Sequence, residues 1–227
     1  MNNSTEYYQT ERREVSGLLP KQYSKVLEIG CGAGRFRNNL NQEHEYWGVE
    51  PVESIAKLSK EKLDKVLVGT YQEVENLIPN NYFDLIVCND VIEHMPDHDA
   101  FFQSIKQKIK KDGCLVASIP NVRYIENLSE LLIKKDWEYK NEGILDRTHL
   151  RFFTRKSLVR TLSNNDFSIK QITGINRYQP GSLRNRLLYR LAILLFGSDI
   201  QYLQFGIRVI CMQPSNKSLQ PTAEGGG

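Results

Sequence analysis

Residues 25–29 form a short apolar run that breaks into glycine at every second position, Gly30, Gly32 and Gly34. A strand entering such a turn must bend sharply and bring its backbone close to a ligand that any Cβ would obstruct. Further short β-rich runs recur at 45–49, 65–68, 83–88 and 114–119, separated by segments with helical spacing and charged faces. Alternation of this kind implies an α/β fold, a parallel sheet with helices on both faces. The clearest helix spans 99–111. There Phe102, Ile105 and Ile109 share one face, Asp97 stands at the cap, lysines fill the last turn and Asp112-Gly113 closes it.

After Pro120 the rhythm changes. A helix is expected at 128–134, an irregular stretch at 136–153, a capped helix at 154–163, a strand at 167–172, a helix at 183–196 and a last strand at 204–212. The 227 residues suit one domain, 1–213, with a substrate-covering insertion at 121–153. The polar, glycine-rich stretch 214–227 is expected to be a flexible tail. A net charge of +3 is too mild to indicate a nucleic-acid partner. The four cysteines form no CxxC pair, and three sit in apolar runs, which fits a reduced, cytoplasmic setting. The N-terminus shows no apolar core of a secretory signal. The longest apolar stretch, 187–196, is about ten residues and is interrupted by Arg190, whereas a bilayer span needs roughly 20.

The glycine spacing is G-x-G-x-G, with Arg35 following, and this disfavours the pyrophosphate-binding G-x-G-x-x-G. Glu50 closes the second strand 20 residues after Gly30. An acid at that offset, on the neighbouring strand end, can accept both hydroxyls of a ribose. Turn and acid together predict a nucleoside cofactor.

Three pieces stand in order: LEIGCGAG at 27–34, GVE at 48–50 and FDLIVCNDVIEHM at 83–95. On these the chain resembles the class I S-adenosylmethionine-dependent methyltransferases, over about residues 20–175. The resemblance implies a Rossmann-like seven-stranded, mostly parallel sheet, with the last strand antiparallel and inserted beside the fifth. It implies S-adenosyl-L-methionine as cofactor. By carry-over, Gly30 and Gly32 meet the methionyl backbone, Glu28 lies near its amino group and Glu50 holds the ribose. Thr70, Tyr71 or Gln72 lies beside the adenine, and Asn89 is next to the methionine part. Cys31, Pro51 and Asp90 complete the expected cofactor set.

Methyl transfer from a sulfonium depends chiefly on in-line placement, and a base is needed only for a hydroxyl acceptor. His94, just past the fourth strand, and His149 are the candidates, with His149 preferred. His149 lies in DRTHLRFFT at 146–154, which resembles a segment of methyltransferases accompanying bacterial surface-polysaccharide enzymes. Asn121, Arg123, Trp137 and Tyr139 are expected in the same pocket. The plainer reading packs this loop structurally, with Asp146 paired to an arginine and Phe152 and Phe153 in the core. Asp90, Glu93 and His94 also share a helical face suited to a divalent metal. That stretch is similar to the Glu-x-x-Glu-His of magnesium-using quinone-biosynthesis O-methyltransferases, with Asp in the first place; a bound metal is not the leading expectation.

The expected function is O-methylation of a small molecule or a sugar within a surface glycan or its precursor. The alternatives are a metal-assisted quinone-type enzyme and a non-catalytic S-adenosylmethionine-binding module. The segment 183–196 places Leu183, Leu187, Leu191 and Leu194 on one stripe with Arg184, Arg186 and Arg190 around it. Such a stripe usually packs on the core or a partner. Its basic character also suits a peripheral membrane contact and a lipid-linked acceptor.

Overall fold

The computed structural model describes residues 11–41 and 43–212, and the expected tail at 214–227 lies outside them. Seven strands form one sheet: β1 (Lys25–Ile29), β2 (Glu45–Glu50), β3 (Lys65–Val68), β4 (Phe83–Asn89), β5 (Ile109–Pro120), β6 (Phe167–Arg177) and β7 (Tyr202–Cys211). Their order is β3-β2-β1-β4-β5-β7-β6. The first five pair in parallel, and β7 runs antiparallel to both β5 and β6. This is the expected Rossmann-like sheet, with the last strand inserted beside the fifth. The helices are α1 (Glu53–Ser59), α2 (Tyr71–Val74), α3 (His98–Lys108), α4 (Ile125–Ser129), α5 (Arg155–Asn164) and α6 (Leu183–Phe196).

The central strands are apolar at nearly every position because both sheet faces are covered. Successive side chains point to opposite faces, so β1 and β4 divide between two cores. Leu27, Ile29, Ile86 and Cys88 join Phe102, Ile105, Leu158 and Leu162 under α3 and α5. Val26, Leu85 and Val87 join Val15, Leu18 and Phe36, carried by 3-10 turns at Arg13–Leu18 and Arg35–Asn39. Contact on that side is close: a Cβ at Gly206 would stand 2.5 Å from Leu18 Cδ1. All four cysteines are free thiols, as expected.

Several boundaries differ from the sequence expectation. The helix foreseen at 99–111 stops at Lys108, because Ile109 leaves it to pair with Phe83 and open β5. Asp112 and Gly113 therefore turn within an irregular stretch of strand, Asp112 at φ 70°. Gly113 is required there, since a Cβ would lie 2.9 Å from the Phe83 carbonyl oxygen. Asp97 does cap α3, accepting the Ala100 amide at 2.9 Å. The segment after the glycine turn is a single 3-10 turn rather than a longer helix. The helix expected at 128–134 begins earlier as α4 and continues as a π-helical turn, Glu130–Lys134. The strand expected at 167–172 runs on to Arg177 through Gly174, over which the Tyr202 ring packs.

The largest correction concerns α6. Its leucine stripe is exposed rather than packed in the core, and Tyr189 is its one buried side chain.

The 154–163 expectation is met by α5, whose Thr154 hydroxyl accepts the Ser157 amide at 3.1 Å while Ser157 Oγ accepts the Thr154 amide at 2.9 Å. Thr154→Ala removes one half of this box. It should cost about 1 kcal/mol, read as a lower urea midpoint at unchanged slope.

Candidate active site

The carboxyl ends of β1, β2 and β4 open into a cavity of about 1520 Å³. The glycine turn forms its floor. The amides of Gly30 and Cys31 both donate to the Val49 carbonyl, at 2.9 and 3.0 Å, which ties the turn to β2. Gly30, Gly32 and Gly34 all adopt positive φ. At Gly30 a Cβ would approach Val91 Cγ2 to 2.8 Å, so a side chain there is excluded by conformation and by space.

Glu50 is buried at the cavity wall, and its two oxygens accept the amides of Gly32 and Val52, each at 3.0 Å. Burial nevertheless raises its pKa. Glu28 lies deeper, with one oxygen bonded to the Tyr46 hydroxyl at 2.8 Å, and burial pushes its pKa up to about 8. Thr70, Tyr71 and Gln72 form a further wall, with Tyr71 braced by Ser104 at 2.7 Å. Asn89 also lines the cavity, and its amide nitrogen and oxygen find no partner within normal hydrogen-bonding distance. Orphaned polar atoms at a cavity wall suit a polar ligand. Every residue of the expected cofactor set (Glu28, Gly30, Cys31, Gly32, Glu50, Pro51, Thr70, Tyr71, Asn89 and Asp90) lines this one space.

Asp90 does more than line it. In a left-handed conformation at φ 52°, it turns its carboxylate to Ser118 Oγ at 2.9 Å and to Gln204 Nε2 at 2.7 Å. The Arg12 guanidinium closes the cluster with an ion pair to Asp90 and a hydrogen bond to Ser118 Oγ. Asp90 is thereby committed, and the alternative metal trio of Asp90, Glu93 and His94 does not assemble.

Glu93 and His94 meet His149 instead, and their ligand-type atoms lie within 4.8 Å of one another. Glu93 is 1% exposed, both its oxygens lack a hydrogen-bond partner, and burial pushes its pKa up to about 8. His149 Nε2 stands 3.9 Å from Glu93 Oε1, while its Nδ1 lies 2.9 Å from the Ile144 carbonyl. His94 Nδ1 lies 3.1 Å from the Thr148 carbonyl. A carbonyl only accepts, so in each ring Nδ1 carries a proton, and in the neutral form the lone pair falls to Nε2. Burial, then the neighbouring His149, lowers the His94 pKa.

His94 lines the cavity, whereas His149, 9% exposed, lies behind it with the two rings edge to face at 4.7 Å. The preference for His149 as the group facing an acceptor is therefore reversed. Asn121 and Arg123 do not line the cavity. Asn121 donates to the carbonyls of Asp199 and Tyr202, and Arg123 pairs with Asp199. Trp137 and Tyr139 pack around Phe152 instead. Asp146 holds Thr148 rather than an arginine. Sequence reasoning missed Arg12, Ser118 and Gln204, which come from three separate segments and carry no motif. It also missed Tyr46, whose only signal was an aromatic residue in an apolar strand.

The two most strongly raised carboxyls, Glu28 and Glu93, have a consequence for stability. Between pH 4.5 and about 8 the folded chain keeps protons on Glu28 and Glu93 that the unfolded chain has lost. Stability should therefore fall as pH rises through that window. Urea midpoints measured across it should decline for the wild type and decline less steeply for Glu93→Gln, which stays neutral throughout.

A family model described as a methyltransferase domain matches residues 4–172. The ubiquinone biosynthesis O-methyltransferase of Shewanella sp. (strain ANA-3) is 26% identical over 163 residues, covering 69% of this chain and 68% of that protein. The protein of the same name from Bradyrhizobium diazoefficiens is 29% identical over 157 residues, covering 66% of this chain and 61% of the relative. Among solved structures, a SAM-dependent methyltransferase from Archaeoglobus fulgidus superposes with a TM-score of 0.65 at 20% identity, over 91% of this chain and 94% of that one. One from Aquifex aeolicus gives 0.56 at 13% identity, over 92% and 93%. With the glycine turn, the paired acids and the strand order in place, the chain belongs to the methyltransferase domain family and is a class I S-adenosylmethionine-dependent methyltransferase.

Proposed function

We propose that this enzyme methylates a hydroxyl oxygen of a small molecule or of a sugar in a glycan or its precursor. The observation that carries the reading is His94, a cavity-lining imidazole with a free Nε2 and a pKa lowered by burial. A hydroxyl must lose its proton as it accepts a methyl group, and a neutral imidazole facing the acceptor can take it. The relatives named as O-methyltransferases point the same way.

The cofactor supplies an electrophilic methyl group on a sulfonium. The chain does the rest by position. Glu50 would accept the ribose hydroxyls while its other lone pairs hold the Gly32 and Val52 amides. Glu28 would meet the ammonium, whose charge would favour the ionised carboxylate. Arg12, the cation beside Asp90 at the cavity wall, suits the methionyl carboxylate. Thr70 and Tyr71 would flank the adenine. Asn141, Glu142 and Arg147 of the insertion line the same cavity and would meet the acceptor. Glu50→Ala should weaken binding of S-adenosylhomocysteine on the order of 100-fold or more, because two charge-assisted bonds are lost. Calorimetric titration measures this directly.

A metal-assisted reading rests on the same cluster. Two imidazoles and a buried, unpartnered carboxylate suit a first-row transition ion better than magnesium. Release of S-adenosylhomocysteine, followed over a panel of phenols, methyl glycosides and amines, tests both versions. Turnover with hydroxyl acceptors that survives chelation and falls 10²–10⁴-fold (roughly, for loss of a general base) in His94→Ala supports the base. Activity lost on chelation and restored by zinc or manganese supports the metal, and methylation of amines alone overturns the reading.

A further inference from the structure

We propose that α6 is an interfacial helix that seats the enzyme on an anionic lipid bilayer. Its outward face is apolar: Leu183, Leu187 and Leu194 are 81, 70 and 80% exposed, and Leu188, Leu191 and Leu195 are exposed beside them. At 100° per residue these six side chains fall on one half of the helix. Tyr189 points the opposite way and anchors α6 through its ring contact with Tyr178, 5.3 Å between centroids. The helix is held from behind with its leucines turned to solvent, the reverse of a core-packed amphipathic helix.

The charge pattern selects the partner. Arg184, Arg186 and Arg190 are all exposed, and α6 carries no acid. Arg186 and Arg190 lie at one margin of the leucine face, while Arg184 falls within that face at its N-terminal turn. Long arginine stems can lie along apolar surface and lift their guanidinium groups to phosphate level. Asp199, the acid nearest to α6 in sequence, is engaged by Arg123. A second copy of the chain on this face would gather both sets of arginines into one interface with no acid on either helix. An anionic bilayer neutralises them. The α6 segment has 14 residues, and no helix among the described residues is long and apolar enough to cross a membrane, so α6 would lie in the interface plane.

Topology puts this face on the working side of the molecule. Pro120 at the end of β5 pairs with Gln204, and Arg177 at the end of β6 pairs with Tyr202. The connection bearing α6 therefore leaves the same sheet edge as the cavity. A second exposed apolar group, Leu131, Leu132 and Ile133, followed by Lys134 and Lys135, is carried by the π-helical turn after β5. Tyr124, which opens the helix leading into that turn, joins α6 through the ring series Tyr124–Tyr178–Tyr189. This docking is independent of which acceptor atom is methylated.

Flotation of the full chain with phosphatidylcholine vesicles, with and without phosphatidylglycerol, tests the proposal. Light scattering is run in parallel, and S-adenosylhomocysteine binding serves as the check on folding. Wild type should float with the anionic vesicles and lose that binding as salt rises. The double variant Leu187→Glu, Leu194→Glu should not float. The triple variant Arg184→Gln, Arg186→Gln, Arg190→Gln should partition on the order of tenfold or more weaker. Both should bind the cofactor product as wild type does. Absence of flotation, or flotation that neither variant alters, overturns the proposal. So does a wild-type dimer that the leucine variant dissociates without any vesicle binding, which would assign the face to a second copy.

Discussion

The Asp90 carboxylate is the tie on which the cavity depends. It lies at the end of β4 and gathers Arg12 from the N-terminal segment, Ser118 from β5 and Gln204 from β7. A carboxylate in a partly buried setting needs its charge met and its lone pairs filled. The left-handed backbone at Asp90 directs it to those donors and carries some conformational strain. Four segments far apart in the chain are thereby fixed around one wall of the site, and Arg12 is drawn over the cavity as part of that wall.

The other acids at this edge are treated differently. Glu50 is held between two amides and keeps its position whether or not a ribose is present. Glu28 has one hydroxyl partner and a raised pKa, so its ionisation is left to a ligand cation. The Glu93 carboxyl has no hydrogen-bond partner among the described residues, and His149 Nε2 stands 3.9 Å from it. The three carboxyls form a graded series, from fully satisfied to unsatisfied, running from the glycine turn toward the insertion. Unsatisfied buried groups are costly, and the least satisfied of the three, Glu93, lies next to the cavity-lining His94.

The insertion that covers this edge is held by its backbone. The amides of Leu150 and Arg151 donate to the Glu93 carbonyl, at 2.8 and 3.1 Å. Glu93, next to the cavity-lining His94, therefore anchors the loop, and His94 Nδ1 reaches the Thr148 carbonyl of the same loop. This explains the dense polar load of residues 146–151 without assigning each a contact with acceptor. Asp146 and Thr148 shape the turn, His149 packs behind His94, and Arg147 reaches the cavity.

Much of the fold was legible in local pattern. The alternation of strands and helices, the glycine turn, Glu50 at a strand end and the cap at Thr154 are short-range signals, each set by backbone geometry within a few residues. Elements went astray where distant contacts override propensity. Ile109 reads as a helix face until β4 offers it a strand partner, and Gly174 reads as a stop until the Tyr202 ring covers it. By itself, then, the sequence determined the parallel sheet and a cofactor cavity at its carboxyl edge. Tertiary structure alone decided that Asp90 is a tie and not a metal ligand, that His94 and not His149 faces the cavity, and that the leucines of α6 face outward. In each case the deciding partner lies tens of residues away in the chain, and no spacing rule connects residues that meet only through the packing of the sheet.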